Sequence, residues 1–201
     1  MKTKSCICIG RELGAGGREV ARLLSERLSI PVYDKELLTR ASVESGVAPE
    51  FFEQKDEQSF LTTLRALFLG NVAGEGSVSV LSEDQLFQWQ SEAIRSIANE
   101  GPAIFLGRCA DYVLRERNDV LTVFLTASCE DRVARLVASL GITEKEALEC
   151  IEKGDRKRAS YYNFYTFKKW GAAASYDLCL NTSLMGVDRA ADLIVSLVEN
   201  R

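Results

Sequence analysis

The 201-residue chain contains no histidine. That excludes a histidine general base, a histidine metal ligand, a Ser-His-Asp triad and a phosphohistidine carrier. Cysteines stand at Cys6, Cys8, Cys109, Cys129, Cys150 and Cys179, yet no two form a C-x-x-C pair, so cysteine-only metal spacing is missing too. No apolar run approaches the ~20 residues that span a bilayer. The apolar part of "MKTKSCICIG" is too short for a signal peptide. A cytoplasmic protein without a disulfide framework is therefore expected. A positive charge excess is lacking as well: the net charge is −4 and the sequence pI about 5.1, which leaves no nucleic-acid footprint. Neither nucleic acid nor membrane is an expected partner, and nothing indicates an oligomeric state. Chemistry falls to Arg, Lys, Asp, Glu, backbone N–H groups or a bound cofactor.

What is present is ordinary globular material, 46% hydrophobic and 27% charged, with length for one sizeable core and one domain over residues 1–201. Ser5 to Ile9 reads as a first strand, and Val20, Ala21, Leu23, Leu24, Arg27 and Leu28 suit one face of a helix that starts at Gly17. Pro31–Tyr33, "AIFLG", Val120–Ala127 and "YDLCLNTS" supply four more strands. Between them lie helical patterns: "KELLTRASVESG", Glu83 to about Asn99 capped by Ser82, "CEDRVARLVASLG" capped by Ser128, a helix with a Thr143/Glu146 capping box, and "VDRAADLIVSLVEN". Residues 46–82 are less regular and read as a lid or an insertion. Cys6, Cys8 and Cys179 are expected to be buried and inert. The alternation of strands and helices predicts an α/β fold: a five-stranded parallel sheet covered on both faces, with ligands outside the carboxyl ends of the strands.

One of those ends carries "CICIGRELGAGGREVA", residues 6–21. A helix N-terminus offers unpaired N–H groups and a partial positive charge, which suit a phosphate. Set against the phosphate-loop pattern G-x-x-x-x-G-K-S/T, with Gly16 as the second glycine, the first glycine falls on Arg11, the lysine on Gly17 and the hydroxyl on Arg18. A dinucleotide loop competes, because Asp34 stands 18 residues beyond Gly16 where a ribose-binding acid would, but Glu19 replaces the third glycine. A tight turn without a ligand is the third reading.

Several further segments carry a resemblance. "GRELGAGGREVARLLSERLSIPVYDKELL", "LGRCADYVL", "FLTAS" and "KKWGAAASYDLCLNTS" together resemble the cytidylate kinase-like family of P-loop proteins over nearly the whole chain. The resemblance implies a P-loop kinase fold with a helical lid, ATP and Mg²⁺ as cofactors, and residues 46–82 on the acceptor side. It implies nucleotide binding by Gly14, Ala15, Gly16, Gly17, Arg18 and Glu19, with Gly17 in place of the lysine and Glu19 where a metal-binding threonine usually sits. The metal ligand itself stays unknown. Asp34, Arg40, Arg108, Asp155 and Arg158 match positions that contact a nucleoside monophosphate, and Cys109 replaces the aspartate after Gly107-Arg108. Arg18 is the candidate for the missing lysine's charge, with Arg132 and Arg156 as alternatives reaching in from the lid.

Each of these residues also has a plainer reading. Each arginine is equally a solvated surface charge, except Arg108, which directly follows an apolar strand and is read as functional; Asp34 is equally an N-cap, and the aromatics from Tyr161 to Phe167 suit core or lid packing better than base stacking. The leading functional reading is an ATP-dependent phosphotransferase acting on a nucleoside monophosphate, cytidylate first, or a similar small metabolite. A non-catalytic nucleotide-binding module is the alternative, and a nicotinamide-dependent oxidoreductase the remote one. The phosphoryl acceptor is not legible.

Overall fold

The computed structural model describes residues 6–35 and 83–200. The expected helix after Asp34, Arg40, the 46–82 segment and the Ser82 cap lie outside the described residues. Five strands form one sheet: β1 (Cys6–Arg11), β2 (Val32–Tyr33), β3 (Ile104–Leu106), β4 (Val120–Thr126) and β5 (Leu178–Asn181). Their order is β2-β3-β1-β4-β5 and every pairing is parallel. Six α-helices accompany them among the described residues: α1 (Gly17–Leu28), α2 (Glu83–Glu100), α3 (Ala110–Val113), α4 (Cys129–Leu140), α5 (Glu144–Thr166) and α6 (Thr182–Glu199). Among these, no helix is long and apolar enough to cross a membrane.

The two-residue period of β1 builds the layers. Ile7 and Ile9 face a cluster with Val20, Ala21 and Leu24 of α1 and Ala190, Ala191 and Ile194 of α6. Cys6 and Cys8 face the opposite cluster, with Ile94 and Ala98 of α2, Phe105 of β3 and Ala110 and Val113 of α3. Successive side chains of a strand point to opposite faces, so a central strand that is apolar at every position must be covered twice. Each fully buried Ile or Leu contributes ~1.5–3 kcal/mol relative to an exposed one. A third cluster joins Leu136 of α4 to Ala147 and Ile151 of α5, with Leu13 of the glycine loop packed against it.

Local signals set most element ends. Ser128 accepts the Asp131 N–H, and Thr143 with Glu146 forms a complete capping box. Three details differ from the sequence reading. β1 runs on through Gly10 to Arg11, pairing with Phe124 and Leu125. Gly10 is there because Phe124 and Tyr176 close over it: a Cβ would meet Phe124 Cδ2 at 2.9 Å. The last helix starts at Thr182, capped by Asn181, and breaks at Gly186, where φ is 79° and ψ 162°. Cys179 is exposed, because β5 is the edge strand and only one of its neighbouring positions is fully covered.

Candidate functional site

The glycine loop connects the carboxyl end of β1 to α1. Gly14 (φ 82°) and Gly16 (φ 77°) are left-handed, a conformation that costs other residues ~1–2 kcal/mol. Gly16 is also the N-cap of α1 and provides no side-chain acceptor. Behind the loop, side chains take up its carbonyl oxygens one after another. Arg158 Nη1 donates to Arg11 O (3.1 Å), Arg132 Nε to Leu13 O (2.7 Å), Arg135 Nη1 to Gly14 O (3.0 Å) and Thr182 Oγ1 to Ala15 O (3.0 Å). The loop's donors are left over. The N–H groups of Gly14, Gly16, Gly17, Arg18 and Glu19 have no hydrogen-bond acceptor among the described residues. Carbonyls held away and amides unpaired make a concavity that attracts anions.

A buried charge knot fixes this shape. Arg132 is 8% exposed and joins Asp155, Glu12 (3.4 Å) and Leu13 O. Asp155 Oδ1 accepts the Leu13 N–H at 2.8 Å. Glu12 accepts from Thr126 Oγ1 (2.5 Å) and from the Ala127 N–H (3.2 Å), tying the loop to the end of β4. Each partner of a buried pair satisfies the others, so the loss of one leaves uncompensated charge.

In front of the loop the balance is different. Arg11 is pulled down from the usual arginine range to about 9, first by burial, then by the charges of Arg158, Arg18 and Arg108; Asp34 opposes them. Arg158 is lowered as well, by burial foremost, with Arg132 and Arg18 adding to it and Asp155 opposing. Arg11, Arg18, Arg108 and Arg158 thus share one electrostatic neighbourhood beside the unpaired amides, with Asp34 at its edge.

Arg108 sits in an unusual backbone run. Gly107, Arg108 and Cys109 have φ of 80°, 57° and 57° in succession. Non-glycine residues in this region carry strain, which surrounding structure must hold in place. Here Arg108 Nε donates to Gln90 Oε1 (2.8 Å), Nη2 donates to Tyr161 Oη (2.6 Å), and the guanidinium lies 4.0 Å from the Tyr161 ring centre. Phe87 stacks on Tyr165 at 4.0 Å and meets Tyr161 edge-on, so these aromatics form a wall between α2 and α5. Cys109 is buried and its thiol is pushed up to about 12, chiefly by burial and then by Asp111, which leaves it protonated at neutral pH.

The sequence candidates therefore fall into distinct places. Gly14, Ala15, Gly16, Gly17, Arg18 and Glu19 form the loop and first turn of α1. Asp34, Arg108 and Arg158 come together beside them. Asp155 and Arg132 lie behind the loop, bonded to each other. Arg156 is exposed on α5. Sequence reasoning missed Arg11, Glu12, Arg135 and Thr182. Arg11 carried a signal that could have found it: like Arg108, it directly ends an apolar strand. Among the described residues no three His, Cys, Asp or Glu side chains are grouped to hold a metal ion.

A family model described as "Cytidylate kinase-like family" matches residues 6–184. No curated protein matches the chain. Among solved structures, an uncharacterized protein from Eubacterium ventriosum ATCC 27560 is 28% identical, with a TM-score of 0.76 over 98% of this chain and 99% of that one. Shikimate kinase from Bacteroides thetaiotaomicron is 17% identical, with a TM-score of 0.56 over 97% and 98% of the two chains. A gluconokinase from Sinorhizobium meliloti 1021 is 13% identical, with a TM-score of 0.50 over 98% and 99%. The last two likenesses are likenesses of fold.

Proposed function

The chain belongs to the cytidylate kinase-like family, and from that membership and the site's geometry we propose that it is an ATP-dependent phosphotransferase. Its acceptor is a nucleoside monophosphate, with cytidylate the first candidate, or a small metabolite that likewise carries negative charge. One observation carries this reading: five N–H groups of the loop and first turn of α1, unpaired among the described residues, stand beside Arg11, which Arg158, Arg18 and Arg108 all repel. Such an arrangement is unfavourable empty and favourable around phosphate.

Phosphoryl transfer needs positioned donors and cations around the moving group and little covalent work from the protein. Histidine is not required for it, nor is a reactive thiol. In this reading the amides of Gly14, Gly16, Gly17, Arg18 and Glu19 hold the donor phosphates, and Arg18 adds charge at the first turn. Arg108, Arg158 and Asp34 orient the acceptor. The left-handed strain at Arg108 and its bonds to Gln90 and Tyr161 fix the guanidinium in advance, which reduces the entropy lost on binding. Mg²⁺ would neutralise the phosphates, and Glu19, at the position of the usual metal-binding threonine, is the residue that the resemblance would place toward it.

A binding module that transfers nothing is the second reading, favoured by one feature: Gly17 has no side chain to follow the phosphate. A thermal-shift panel of nucleoside mono-, di- and triphosphates, with and without Mg²⁺, tests nucleotide binding, because a ligand that binds only the folded state raises its stability. Radiolabelled phosphate transfer from ATP to cytidylate and other anionic acceptors then separates the two. Stabilisation by ATP with transfer supports the kinase; stabilisation without transfer to any acceptor supports the module.

A further inference from the structure

The loop position that carries lysine in the phosphate-loop pattern is Gly17, and the structure shows what lies over it. A Cβ on Gly17 would meet Arg11 Cγ at 2.8 Å and Arg11 Cβ at 3.1 Å. The Arg11 stem therefore crosses the loop at the place from which a lysine would depart. Its guanidinium continues to the end of β3, where Nη1 fills the space that a Cβ on Gly107 would need. Two glycines, one on each side, are thus shaped around a single arginine. Gly17 accommodates the stem and Gly107 the charged head.

No carboxylate among the described residues pairs with that head. Among the described residues the Arg11 side chain forms neither a hydrogen bond nor an ion pair, although Arg27, Arg117 and Arg132 all have acidic partners. A half-buried guanidinium held between two backbone segments, beside unpaired amides and three further arginines, is placed for an anion that comes from outside the chain.

We propose that Arg11 is the cation that takes over the role of the absent loop lysine, reaching the terminal phosphate of the donor from the end of β1 across Gly17 toward Gly107. The assignment rests on the nucleotide reading of the site. It gives the chain a relocated charge: the strand supplies it in place of the helix. The position between the glycine loop and Arg108 is the border of donor and acceptor sides. A planar guanidinium there binds two oxygens of the terminal phosphate at once, which an ammonium cannot do. Arg18, on the neighbouring turn, then serves the inner phosphates.

The test compares ATP with ADP, which differ only in the terminal phosphate. Dissociation constants for both, with Mg²⁺, are measured by calorimetry for the parent, Arg11→Met, Arg11→Lys, Arg18→Ala and Gly17→Ala, with circular dichroism melts to verify folding. Loss of one charge-assisted contact predicts that Arg11→Met weakens ATP by ~10-fold or more and ADP by less than ~3-fold. Arg11→Lys should fall between parent and Arg11→Met. Gly17→Ala puts alanine at a helical position, where it is otherwise favourable, yet should lose the ATP preference by displacing the stem. An unchanged ATP-to-ADP ratio in Arg11→Met overturns the proposal, as does loss of that ratio in Arg18→Ala alone. A parental ratio in Gly17→Ala overturns the packing on which it stands. A folded parent that binds neither nucleotide overturns the nucleotide reading itself, and is distinguishable because the defect precedes any substitution.

Discussion

Replacing Arg11 with methionine should make the ligand-free protein more stable. The side chain is half-buried beside Arg158, Arg18 and Arg108, with Asp34 as the opposing charge. At ~1.4 kcal/mol for each tenfold change in proton affinity, a fall from the usual arginine range to about 9 sets an upper bound of ~5 kcal/mol on the cost of keeping it charged. Arg11 retains contact with solvent, which screens the repulsion, so a gain of ~1–2 kcal/mol is the expected size. For a chain of this length that is a rise in Tm of about 2–8 °C. The pH dependence has a definite sign. The unfolded chain keeps the arginine protonated throughout the usual arginine range and the folded chain only up to about 9, so the unfolded state binds more protons above that point. The cost is fully present below pH 9 and is relieved as pH rises through that window. Parent and Arg11→Met should therefore differ most at pH 8, and the gap should narrow toward pH ~11. Adding ATP and Mg²⁺ at pH 8 should stabilise the parent more than the variant. Thermal melts in phosphate-free buffer read all three effects. If Arg11→Met melts at or below the parent at pH 8, the arginines in front of the loop are compensated and the reasoning fails.

Other substitutions probe the supports. Arg132→Ala strands Glu12 and Asp155 behind the loop and should cost ~3–5 kcal/mol, seen as a loss of about 6 °C or more in Tm even without nucleotide. Gly16→Val meets Val187 Cγ1 at 2.7 Å and forces a branched residue to φ 77°; nucleotide stabilisation in thermal shift should vanish, and normal binding would show that the loop is only a turn. Arg108→Ala should raise the acceptor KM or lower turnover while the ATP Kd changes little; equal loss of both would assign Arg108 to the fold. Thr143→Ala removes a capping box far from the loop and should cost ~1 kcal/mol by urea denaturation with nucleotide binding intact.

Much of this architecture is written locally. Alternating apolar residues in β1, the change of period after Gly17, the Ser128 cap and the Thr143/Glu146 box are short-range signals, because they act within one turn or one pleat. From them follow the parallel sheet and the glycine loop at its carboxyl edge. Gly10 misled the reading of β1 because its reason is distant: it makes room for Phe124 and Tyr176.

The site divides along the same line. Sequence alone determined that Gly14 and Gly16 form a turn into a helix, that the pattern's lysine is absent, and that histidine chemistry is excluded. Only the tertiary structure decided which arginines have acidic partners. Arg132 and Asp155, alike on paper with the other charged candidates, are consumed in a buried pair behind the loop. Arg11, passed over because it stands where a glycine was sought, comes to the front because β1 and β3 are neighbours and Gly17 and Gly107 leave it space. A charge declares its sign in the sequence. Its partner, and hence its energy, is fixed only when strands that are far apart in the chain lie side by side.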